Sequence, residues 1–115
     1  MTRATIVVHA PDLMDQSRIR AALPTAVFVR RPEQLLDHAD AELVIVDLDR
    51  PGVLDVVTAW AGRDPAVAEL VGFGAHVAGA NLTAATAVGV GAMARSRFFG
   101  RWLPARANAA YPSSG

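Results

Sequence analysis

From Leu43 to Val46 the chain reads Leu-Val-Ile-Val, apolar at every position, and then breaks into Asp47-Leu48-Asp49-Arg50-Pro51-Gly52. A strand with one wet face alternates apolar and polar residues. A strand that is apolar throughout is covered on both faces, as in the centre of a parallel sheet packed between helices. The Pro-Gly pair then predicts a tight loop. After it, a helix over 51–62 would set Val53, Val57, Trp60 and Ala61 on one stripe.

The same alternation recurs along the chain. Strands are predicted over Ala4–His9, Thr25–Val29, Leu43–Leu48 and Val67–Phe73, with a short fifth strand near Ala92–Arg95. Between them, Asp12 is placed to cap a helix ending near Leu23, where Pro24 stops it. Pro32 suits the first turn of a second helix, with Leu35, Leu36 and Ala39 facing inward. Asn81 is placed to cap a helix through about Val88. A last helix carries Phe98, Phe99, Trp102 and Leu103, with Pro104 interrupting it. Residues 1–104 read as one domain and 105–115 as a flexible tail. Strand and helix in strict alternation, with short connections and right-handed crossovers, lead to an α/β doubly wound parallel sheet. Five strands favour the flavodoxin-like order 2-1-3-4-5 with helices on both faces. At 115 residues and 52% hydrophobic composition, the chain is long enough for one core.

Composition narrows the chemistry. There is no cysteine, so thiol catalysis, disulfides and zinc-thiolate sites are excluded. Every cation is arginine, so no role that needs a lysine amine can be filled. All 11 acids lie at or before Glu69, whereas residues 70–115 hold four arginines and no acid. Such asymmetry suits an anionic partner or simply a basic end of the domain. Four arginines are a thin footprint for nucleic acid, and none is expected as a partner. No apolar run reaches the roughly 18 residues of a membrane span, and residues 1–5 contain no signal-peptide core. The expectation is a cytoplasmic protein without a membrane partner.

In such sheets function gathers at the carboxyl ends of the strands. That rim collects His9, Asp12, Asp47, Asp49, His76, Arg95, Ser96 and Arg97. The stretch Leu43–Gly52 resembles the third strand and following loop of response-regulator receiver domains, and the likeness spans about residues 3–103. The resemblance places Asp47 at the aspartate that accepts a phosphoryl group, and Pro51-Gly52 at the loop that follows it. It also implies a pair of acids after the first strand to hold magnesium, where this chain has Ala10 and Pro11 and Asp12 stands one step further on. At the end of the fourth strand it implies a hydroxyl, where Gly74 stands. At the end of the fifth it implies a lysine, where Ser96 stands between Arg95 and Arg97. The scaffold is kept while the acid pair, hydroxyl and lysine are missing. Phosphoryl transfer needs a positioned metal and cations around its spread negative charge. The chain is therefore identified as a degenerate pseudo-receiver, with no enzymatic activity and no cofactor.

Three functions stay open. The first is a signalling module that docks on a protein partner or forms a homodimer. By analogy with receivers, it would use a face made of Ala84, Ala85, Val88, Phe98, Phe99 and Trp102. The second is a sensor of a small anion or metabolite at the rim, using Asp47, His76, Arg95 and Ser96. The third is a working phospho-receiver using Asp47, with Asp12 as a displaced metal ligand. Asp47 also has a plain structural role open to it, as a strand-end carboxylate paired with an arginine. Gly72, Gly74 and Gly79 do not match the dinucleotide fingerprint, whose glycines follow the first strand, and are expected to serve close packing.

Overall fold

The apolar run forms β3 (Leu43–Asp47), the central strand of a five-stranded parallel sheet. The computed structural model describes residues 5–38, 40–61, 69–75 and 80–110. Around β3 lie β1 (Ile6–His9), β2 (Val27–Phe28), β4 (Glu69–Gly74) and β5 (Gly91–Ala94), in the order β2-β1-β3-β4-β5. The expected topology is the observed one. Register runs Ile6 to Leu43, Val44 to Leu70 and Gly74 to Ala94. Ala4, Ala39, Val67, His76, Gly79 and residues 111–115, all singled out from the sequence, lie outside the described residues.

Successive strand residues face opposite sides, and the core is accordingly double. Val7, Val44, Val46 and Leu48 pack with Val53, Val57 and Trp60 of α2 (Val53–Ala61) and with Leu82 and Ala85 of α3 (Ala80–Ala87). Ile6, Val8, Leu43, Ile45, Val71 and Phe73 pack with Ile19 of α1 (Leu13–Ala22) and with the C-terminal helical rod. Each fully buried side chain of this kind stabilises by roughly 1.5–3 kcal/mol. α1 starts where Asp12 caps it, its Oδ1 accepting the amides of Met14 and Asp15 at 2.9 and 3.0 Å.

Three local features differ from the sequence reading. The Pro32–Asp37 segment is a 3-10 helix, with Gln34 Oε1 accepting the amides of Arg30 and Arg31. Its tighter pitch suits a six-residue span that has only Leu35 to bury fully. α3 is described over Ala80–Ala87, which puts Asn81, expected as its cap, within its first turn. It ends in a Schellman motif: Val90 N–H bonds Ala85 O, Gly89 N–H bonds Thr86 O, and Gly89 adopts φ +95°.

The third difference is the rod. Arg95–Arg97 (α4), a π-helical turn over Phe98–Trp102 and Leu103–Ala110 (α5) run on without a break. Pro104 does not interrupt it, and residues 105–110, expected as tail, are helical. In a regular α-helix the proline ring collides with the carbonyl four residues back. The wide turn just before it, in which Leu103 N–H reaches Phe98 O, opens that space. The turn also directs Phe98, Phe99 and Leu103 onto the sheet together. Phe98 stacks on Phe73 at 4.6 Å between ring centroids, and Phe99 meets Phe73 edge-on at 5.2 Å. Arg106 of α5 pairs with Glu69 at the start of β4, at 2.9 Å.

Candidate functional site

β1, β3, β4 and β5 end side by side, and their last residues and the loops beyond them form the rim. β3 delivers Asp47, which is 4% exposed. The next residues turn immediately, and the turn takes up the carboxylate. Asp49 N–H donates to Asp47 Oδ1 at 3.0 Å, and Arg50 Nε donates to Oδ2 at 3.3 Å. Gly52 completes the loop at φ +80°, where a side chain would be strained. Asp49 crosses to the neighbouring loop, its Oδ2 accepting Ala75 N–H at 2.7 Å. Both Asp47 oxygens are thus engaged locally, and its paired arginine is Arg50.

β1 delivers His9, 2% exposed, whose Nδ1 donates to the Val29 carbonyl at 3.2 Å. Burial lowers the basicity of this imidazole below its ordinary value. The Val29 hydrogen bond and the charge of Asp47 oppose that effect, and Arg50 reinforces it. The Val29 bond ties the end of β1 to the residue that follows β2.

The strongest charge pairing on the rim involves a residue that the sequence reading passed over. Asp15, in the first turn of α1, is 2% exposed and receives both terminal nitrogens of Arg95, at 3.0 and 2.5 Å. Such bidentate, charge-assisted pairs are among the stronger hydrogen-bonded contacts in proteins. The guanidinium also lies 5.3 Å from the Phe73 ring centre and 5.4 Å from that of Phe99. The Asp15 hydrogen bonds raise the basicity of Arg95 above its ordinary value. The charges of Asp15, Asp47 and Asp12 act in the same direction, and desolvation opposes them. A signal for Asp15 was present in the sequence. Asp15, Ile19 and Leu23 are spaced by four, which sets a carboxylate on the inward stripe of α1, where an unpaired acid is costly.

Arg95, Ser96 and Arg97 do not converge on one anion. β5 stops at Ala94, so strand alternation never applies to them. Arg95 turns to Asp15, while Ser96 and Arg97 are exposed and line a groove beside α3 and β5. Arg18, across from Arg95, stacks over Phe99 at 4.2 Å. Asp12 holds the end of α1. Among the described residues, no three His, Cys, Asp or Glu side chains are grouped so as to hold a metal ion.

The hydroxyl position suggested for Gly74 is filled by its neighbours. A Cβ there would lie 2.5 Å from Leu82 Cδ1 and 3.2 Å from Asp49 Oδ1. Gly72 is closely packed too, as expected of it and of Gly74, with Leu48 Cγ and Cδ1 both at 2.7 Å from a Cβ built on it. On the face expected for interaction, Ala85, Phe98 and Phe99 are buried in the two cores. Ala84, Val88 and Trp102 are half-buried. The π-helical turn folds Phe98 and Phe99 of this face inward. The exposed large apolar residues among those described are Leu13, Met14 and Val27.

No family model and no curated protein matches the sequence. Among solved structures, the fold is similar to the crystal structure of a response regulator from Thermotoga maritima. The TM-score is 0.71 with 14% identity, over 97% of this chain and 100% of that one. At that identity the likeness establishes a receiver-like fold. No helix among the described residues is long and apolar enough to cross a membrane.

Proposed function

We propose that this chain is a receiver-like signalling module that does not run metal-dependent phosphoryl transfer and that acts by docking to another protein. One observation carries the reading: the buried Asp15 is neutralised by Arg95, a cation built into the chain. A magnesium site at this rim would need several oxygens free to converge on the ion. Here both Asp47 oxygens accept from the loop that follows, Asp49 is bonded to Ala75, and one Asp12 oxygen caps α1. Leu82 and Asp49 also crowd the Gly74 position, where the resemblance implies a hydroxyl. A carboxylate without metal or free cation beside it is a poor phosphoryl acceptor. With no chemical step at the rim, a signal would pass by contact.

The test is incubation with acetyl phosphate and magnesium, and separately with beryllofluoride and magnesium, read by intact mass and by fluorine NMR. The expected result is no adduct. Stoichiometric acylphosphate, removed by Asp47→Asn, would establish a working phospho-receiver and end this reading. The anion-sensor alternative lacks comparable support, because Arg95 is held on Asp15.

A further inference from the structure

We infer that the free edge of β5 is a strand-addition site, and that its occupant is an extended, acidic segment of a partner protein. The inference rests on the docking reading above and names the place and the chemistry of the contact.

Among the described residues, β5 and β2 are the two edges of the sheet. β2 is two residues long, and a strand that short is itself a defence against unwanted pairing. β5 is four residues, Gly-Ala-Met-Ala. It has no charge, no proline and no large side chain other than Met93 to obstruct an approaching backbone. Edges normally carry such obstacles, because a bare edge offers unpaired N–H and C=O groups to any extended chain. Beside this edge lies a groove of about 790 Å³, within the range of ligand clefts. Leu82, Thr83 and Thr86 of α3 form one wall, β5 forms another, and Ser96 and Arg97 close its end.

Charge selects the occupant. Residues 80–110 contain arginines and no acid. Arg95 and Arg106 are engaged with Asp15 and Glu69, whereas Arg97 and Arg101 are exposed and have no ion pair among the described residues. A second copy of this chain would bring the same arginines against these. An extended segment alternating apolar and acidic residues instead places its backbone on β5, its apolar side chains in the groove against α3 and an acidic residue at the groove's end by Arg97. Main-chain bonds would supply affinity, and alternate side chains specificity.

The experiment uses the full chain, without a phosphoryl donor, and a short fluorescein-labelled peptide alternating valine and glutamate. The expected result is saturable anisotropy, with slowed amide exchange over residues 91–94. N-methylation of alternate peptide amides should abolish binding, since the ladder is then broken on the peptide side and the protein is untouched. Arg97→Glu, at an exposed position that leaves the core intact, should weaken it on the order of tenfold. Absence of saturable binding, or binding indifferent to N-methylation, overturns the inference. So does protection of 91–94 that rises with protein concentration alone, which would assign the edge to a second copy. Acylphosphate on Asp47 in the separate assay would end the proposed function while leaving this result standing.

Discussion

Replacing Arg95 by methionine removes the partner of Asp15 and keeps an apolar stem between Phe73 and Phe99. The Asp15 side chain is 3% exposed and that of Arg95 38%. Removing one partner of a buried pair costs about 3–5 kcal/mol, because the remaining charge is left dry and unpaired. More than a third of the arginine side chain is already wet, so water can reach the vacated place and part of that cost is screened. The expected loss is therefore about 2–3 kcal/mol, with a fall in melting temperature of roughly 10 °C for a domain of this size. The double variant Asp15→Leu/Arg95→Met removes both charges and should return to within about 1 kcal/mol of the parent. Urea denaturation of the parent, the two single variants and the double variant gives the coupling, expected at about 1.5–2 kcal/mol. Arg97→Met, on an exposed arginine of the same rod, is the control and should stay within about 0.5 kcal/mol. If Arg95→Met costs no more than that control, or if the single effects simply add, the pair does not neutralise the rim as argued.

Three further outcomes follow from the packing and the rim. His9 is less basic in the fold than in the unfolded chain, so its contribution to stability is present above 6.5 and is lost as pH falls through the folded value. The urea midpoint should drop as pH is lowered from about 7.5 to about 5.5, and His9→Asn should flatten that limb. Gly72→Ala drives a methyl into Leu48, a fully buried residue, and should cost about 1–3 kcal/mol in urea denaturation. Asp12→Ala removes the acceptor of two amides at the start of α1 and should cost about 1 kcal/mol, with amide exchange at Met14 and Asp15 accelerated.

Much of this molecule is written in local pattern. Val44, Ile45 and Val46 are apolar in succession, which requires cover on both faces of β3 and hence helices on both sides of a parallel sheet. The cap at Asp12 and the turn at Pro51-Gly52 depend on backbone chemistry within a few residues, so sequence alone places them. Asp47 was legible for the same reason, as the residue where an apolar strand meets its loop.

The partners of the rim residues were decided elsewhere. Asp15 and Arg95 are 80 positions apart, and they meet only because α1 begins and β5 ends at the same carboxyl rim of the sheet. Whether Arg95 faces an anion, Asp47 or Asp15 depends on where β5 stops, and that depends on packing of the rod behind it. The fate of Phe98 and Phe99 depends likewise on a π-helical turn accommodating Pro104, which rotates both rings onto Phe73. Local periodicity gives the spacing of side chains along one element. Which groups touch across elements is set by the close packing of the whole, where moving Leu82 or Leu48 by one methyl width changes what the rim can hold.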